Sequence, residues 1–168
     1  MDVEIDIKKE LLNKTILAVV YFNDNLGLNI EGPCRLDIPT HCVFWRIHDG
    51  KRVIATSEDF YVKSFAPTCQ FWGPDCWPIP EPEESIEDES EGDHLEKMFE
   101  IFEEHREMIA TKLLEILEGS KIQDVKTSDL GDITLQFDNG LELEVFSYLS
   151  NEQKEQMPVF KKPYRFRS

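Results

Sequence analysis

Apolar and polar residues alternate in two places along the chain, and in both the alternation restarts three residues after it stops. In the second half Ile133, Leu135 and Phe137 are followed by Asp138-Asn139-Gly140 and then by Leu141, Leu143 and Val145. Asn-Gly often closes a two-residue hairpin loop, but that register sets Phe137 against Glu142 and mixes the faces. A three-residue loop with Gly140 left-handed pairs Phe137 with Leu141, Leu135 with Leu143 and Ile133 with Val145. All six apolar side chains then share one face. In the first half a loop of Glu31-Gly32-Pro33 pairs Ile30 with Cys34, Leu28 with Leu36 and Leu26 with Ile38 by the same rule.

The likeness extends upstream of the hairpins. Leu11-Leu12-Asn13-Lys14-Thr15-Ile16 matches Leu117-Glu118-Gly119-Ser120-Lys121-Ile122, and Val19 falls where Val125 does, at an offset of 106. One added residue then makes the offset 107, relating Leu26, Leu28 and Ile30 to Ile133, Leu135 and Phe137. The pattern predicts two related antiparallel meanders.

Other elements follow from local rules. The apolar run 15–22 predicts a strand covered on both faces. Val43 to Ile47 and Arg52 to Thr56 flank Asp49-Gly50, a hairpin signal. Ser57-Glu58-Asp59 suits a cap for a short turn, and residues 6–12 a short helix. Asp93 and Glu96 open a long helix that Gly119 stops. Its apolar stripe includes Met98, Phe102, Ile109, Leu113 and Leu117, and is expected to cover the sheet.

Between the two halves, residues 67–80 hold four prolines with Phe71, Trp72 and Trp77, and residues 81–93 hold eight acids and no base. The expected organisation is one α+β domain over 1–168. Its halves, 1–66 and 94–168, are joined by a linker at 67–93, the acidic part solvated.

Charge narrows the partners. Against 18 Lys and Arg stand 34 Asp and Glu, a formal net charge of −16. That field repels phosphate backbones and anionic membranes, and favours a basic protein. No window approaches the roughly 20 apolar residues of a membrane span, and the acidic N-terminus is unlike a secretory signal. The cysteines Cys34, Cys42, Cys69 and Cys76 then read as reduced thiols, and the protein as cytoplasmic.

No phosphate loop, nucleophile elbow or zinc helix is present, and no cofactor or metal is expected. His41 and Cys42 are strand neighbours that point to opposite faces, and Cys69 and Cys76 are spaced too widely for a zinc knuckle. His105 lies on the apolar stripe of the long helix, which makes it a core residue rather than a base. Two features suit partner binding. One is the loop bearing Phe71, Trp72 and Trp77, whose prolines stiffen large aromatic anchors. The other is the polar side of the long helix, with Glu100, Glu103, Glu104 and Glu107. The basic run from Lys161 to Arg167 is expected to clasp the acidic linker or helix.

Segment 131–146, with Ile133-Thr134-Leu135-Gln136-Phe137-Asp138-Asn139-Gly140-Leu141 at its centre, resembles a hairpin of small bacterial proteins. Several of these are similar to immunity proteins of polymorphic toxin systems. Residues 26–38 and 46–61 are similar to their first half. Those proteins continue with a tyrosine–glutamate–tryptophan element, whereas here Leu149 follows Tyr148. The resemblance carries across no catalytic residues. It implies a non-enzymatic module that neutralises a basic toxin by binding it. The alternative is a small hydrolase or metal-dependent enzyme using His41, His48 or dispersed carboxylates. The sequence does not rank oligomeric states.

Overall fold

The computed structural model describes residues 6–22, 25–39, 43–60, 91–147 and 163–168; of 58, 60, 91–99 and 101–103 it describes the backbone alone. The aromatic loop, the cysteines at 42, 69 and 76, His41, and Lys161 and Lys162 lie outside the described residues.

The first meander contains α1 (Ile7–Leu11), β1 (Ile16–Phe22), β2 (Asn25–Ile30) and β3 (Cys34–Pro39). Then come β4 (Phe44–His48), β5 (Val53–Thr56) and a 3-10 turn (Ser57–Phe60). The second contains α2 (Glu91–Leu117), β6 (Ile122–Thr127), β7 (Ile133–Phe137) and β8 (Glu142–Phe146), with β9 (Arg165–Arg167) near the C-terminus. The start of α1 and the ends of both helices have local reasons, whereas α2 begins at Glu91, two residues before the start expected at Asp93. The Asp6 carboxylate accepts from the Lys9 N–H at the start of α1. Asn13 and Gly119, at φ 62° and 77°, turn the chain out of α1 and α2 in the left-handed exit that commonly ends helices.

Both hairpins adopt the three-residue register. Leu28 pairs with Leu36 and Ile30 with Cys34 in one; Leu135 pairs with Leu143 and Ile133 with Val145 in the other. Gly140 is left-handed at φ 85°, and the Phe137 N–H donates to the Leu141 carbonyl at 2.9 Å. The core gathers the inward side chains of both hairpins with Ile109, Leu113 and Leu117 from α2, and Trp45 is among its largest fully buried members.

The duplication is a near two-fold relation in space. Thr15 and Lys121, equivalent positions, bridge to each other. Around that bridge the hydrogen bonds come in matched pairs. Ile16 N–H donates to Ser120 O and Ile122 N–H to Lys14 O, both at 2.9 Å. Asn13 N–H donates to Ile122 O at 2.8 Å and Gly119 N–H to Ile16 O at 2.9 Å. Both first strands carry an irregularity at the same place, between Ile16 and Ala18 and between Ile122 and Asp124.

The two units exchange their outer parts. The sheet orders are β1-β2-β3-β9 and β5-β4-β8-β7-β6. Thus β4, which follows the first meander, pairs with β8 of the second, and β9 pairs with β3 of the first. The helices cross over too: α1 packs on β6 and α2 on β1. Strands from the halves 1–66 and 94–168 therefore pair with one another.

One strand expectation is corrected. The run 15–22 is not covered on both faces, because Leu17 is 53% exposed and Val20 and Phe22 are only partly buried. The basic tail is described only from residue 163 onward, and the acidic linker of the expected clasp lies, up to residue 90, outside the described residues. Residues 165–167 of the tail form β9, whose backbone completes the ladder of β3 and sets Arg167 on Asp37.

Candidate functional site

Two acidic surfaces stand out. On α2, Glu100, Glu104, Glu107 and Glu115 are exposed, as is Glu118 just past its end, while His105, Ile109, Leu113 and Leu117 are buried. At 100° per residue the five glutamates fall within about 80° of each other, on the side opposite the buried stripe. Thr111 continues the ridge, its hydroxyl turned back onto the Glu107 carbonyl at 2.9 Å. The ridge runs about 27 Å along the axis. It unites three of the four predicted helical glutamates; the side chain of Glu103 lies outside the described residues. The buried stripe at 105, 109, 113 and 117 decides this, because helical spacing sends these glutamates to the opposite side.

His105 is a structural residue. Its Nε2 donates to the Asp59 carbonyl at 2.9 Å, so the ring ties α2 to the 3-10 turn. Desolvation lowers its pKa below the usual histidine value, opposed by the Asp59 carbonyl. The Asp59 carboxylate in turn accepts from the Thr56 N–H at 2.7 Å.

The second surface is the outer face of the five-stranded sheet. Glu142 and Glu144 alternate outward on β8, and cross-strand pairing sets His48 opposite Glu142 and Arg46 opposite Glu144. Arg46 Nε is ion-paired with Glu144, and its guanidinium lies 5.5 Å from the centre of the Phe146 ring. Phe146 in turn lies 5.7 Å from Phe44, which is 40% exposed. His48 Nε2 lies 3.3 Å from Glu144 and 3.6 Å from Glu142.

His48, Glu142 and Glu144 are close enough to hold a cation, with their ligand atoms all within 4.8 Å of one another. The tautomer opposes it. His48 Nδ1 accepts the Gly50 N–H at 3.1 Å, which leaves the ring proton of the neutral imidazole on Nε2, toward the carboxylates. A metal on Nε2 would move that proton to Nδ1, against another N–H. With Arg46 already paired to Glu144 and the Gln136 amide donating to Glu142, the arrangement suits a surface of cross-strand polar pairs better than a metal centre.

Sequence reasoning named His48 but not Glu142 or Glu144. Their alternation with Leu141, Leu143 and Val145 was a sufficient signal that they face outward. Nothing local showed that they would meet β4. The partner-binding residues Phe71, Trp72 and Trp77 lie outside the described residues.

Among the described residues no helix is long and apolar enough to cross a membrane. No protein-family model, curated protein or solved structure matches this chain.

Proposed function

We propose that this protein is a non-enzymatic binding module for a basic protein partner, with neutralisation of a basic toxin as its sharpest form. The exposed glutamate ridge of α2 carries this reading. A rigid row of carboxylates on a helix whose opposite side is locked into the core is preorganised, so little ordering cost opposes association. The net charge of −16 adds long-range attraction for a cationic partner and raises the encounter rate. The likeness of 131–146 to immunity-protein hairpins supports a toxin as that partner.

The test is co-expression with the product of the adjacent reading frame, followed by pull-down and a growth assay. The expected result is a stable complex and rescue of any growth defect. Reversing three charges together (Glu100→Lys, Glu104→Lys, Glu107→Lys) should slow association at least about tenfold at low salt, with the difference shrinking as salt is added. A complex whose association rate ignores both changes would sink the ridge as the binding surface. No partner and no rescue would sink the toxin.

A further inference from the structure

The two-fold relation makes one comparison available that the sequence does not. On the outer faces of the two sheets, Arg35 and Asp37 of β3 occupy the places that Glu142 and Glu144 hold on β8. Their cross-strand partners are equally matched. Arg165 faces Asp37 as Arg46 faces Glu144, and Arg167 faces Arg35 as His48 faces Glu142. The same lattice thus bears opposite charge. In a protein with 34 acids and 18 bases, three arginines gather around a single carboxylate.

That carboxylate is built into the sheet. Asp37 is 3% exposed. Arg35 Nη2 donates to its Oδ2 at 3.3 Å, and Arg35 Nε lies 2.8 Å from Oδ1 without the alignment of a hydrogen bond. Arg167 Nε approaches the same Oδ2 at 3.2 Å. Two guanidiniums therefore converge on one oxygen. Arg35 is held from its other side by Phe22, whose ring centre is 4.4 Å away. Phe22 can lie there because Gly27 has no side chain: a Cβ on Gly27 would sit 2.6 Å from the ring.

Asp37 engages only part of each arginine fork. A guanidinium has five N–H donors in one plane, and the rest of Arg35 and Arg167 remains directed away from Asp37. Arg165 is exposed and has no ion-pair partner among the described residues. Among the described residues, one carboxylate against three guanidiniums leaves two positive charges unbalanced, and Arg35 directly opposite Arg167 is a repulsive cross-strand pair. A ligand carrying close to two negative charges relieves both, which a phosphate does and a carboxylate does not. Arginine forks suit phosphate oxygens bidentately.

We infer that the outer face of β3 and β9 is a phosphate-binding site. Arg35 and Arg167, aligned by Asp37, take the phosphate oxygens, and Arg165 completes the charge balance. The ligand class is a small free phosphate, inorganic phosphate or a phosphate monoester. An anionic headgroup in a membrane offers the same group from another source, but the protein's overall negative charge repels such a surface.

The test is a titration of the full chain with inorganic phosphate, against chloride at matched ionic strength, following the arginine Nε–H resonances by NMR. Saturable shifts of Arg35 and Arg167 with half-saturation near about 1 mM are expected, the affinity of a few charge-assisted hydrogen bonds. Arg167→Gln should weaken binding about tenfold, as removal of one charged hydrogen-bond donor does. Arg46→Gln, at the place on the other sheet that corresponds to Arg165, should leave it unchanged. Arg167 is half exposed on a three-residue edge strand, so its replacement spares the core. Absence of saturable shifts overturns the site, as does binding indifferent to Arg167→Gln. Association with phosphatidic acid vesicles without any response to inorganic phosphate overturns the small-ligand assignment.

Discussion

Where α1 meets β6 and where α2 meets β1 are equivalent places in the two-fold arrangement, yet different forces hold them. The first contact joins a five-residue helix to its strand through buried Ile7 and Leu11, and through an exposed ion pair between Lys8 and Asp124 at 3.0 Å. That pair, chiefly the hydrogen bond from Lys8, lowers the pKa of Asp124. At the equivalent positions of the second contact stand Leu114 and Ala18. There a 27-residue helix buries Ile109, Ala110, Leu113 and Leu117, and Arg106 donates to the Tyr21 hydroxyl at 3.0 Å. The shared backbone hydrogen bonds around Thr15 and Lys121 hold the framework in both. What varies is the rim, and there the two units have become an ionic side and an apolar side.

The comparison breaks most visibly at the residue pair that closes each sheet onto the core. Trp45 of β4 and Tyr164 beside β9 are equivalent, fully buried and 9% exposed respectively. Trp45→Ala should cost about 3–5 kcal/mol in chemical denaturation, and Tyr164→Ala less, because it is less completely buried. Equal costs would mean that β9 is as integral to the core as β4.

Next in size is Gly27, whose counterpart is Thr134. Gly27→Ala forces its Cβ against the Phe22 ring and against Val20 at 3.2 Å. A loss of about 1–3 kcal/mol is expected, the usual consequence of overpacking. Thr134→Ala, on the outer face of the other sheet, should change stability by no more than about 0.5 kcal/mol. A neutral Gly27→Ala would show that Phe22 is free to leave Arg35.

Asn139 separates the hairpins more finely. Its amide donates to the Ile116 carbonyl at 2.8 Å and to Ser120 Oγ at 3.0 Å, satisfying the end of α2. Its counterpart is Gly32, left-handed at φ 86° and without a side chain. Asn139→Ala should cost about 1 kcal/mol, the net value of such bonds. Hydrogen exchange in the last turn of α2 should report it.

The smallest effect is one of pH. Burial depresses the folded-state pKa of His105, so the unfolded chain takes up a proton first as pH falls. The stability that this residue contributes is intact above its unfolded value of about 6.5. It is lost as pH falls from there through the folded value. His105→Gln, which can keep a donor toward Asp59, should flatten that part of the stability–pH curve. An unchanged curve would remove His105 as its source.

Alternation and turn chemistry were enough to read both hairpin registers, because a one-residue slip would have driven Glu142 and Glu144 into the core. The stop of α2 was legible for the same kind of reason, since Gly119 acts on the backbone next to it, whereas its start at Glu91 was not. The acidic ridge followed from helical spacing alone. Each of these is decided within a few residues of chain. The choice of partners for β4 and β9 is decided elsewhere. A strand with one apolar face fits any sheet edge with a matching face, so residues 44–48 carry no mark that distinguishes β3 from β8. Packing around the Thr15–Lys121 bridge settles it, by turning each meander's open edge toward the other unit's following strand. That tertiary exchange places His48 beside Glu142 and Arg167 beside Asp37, and so decides which charged faces the molecule presents.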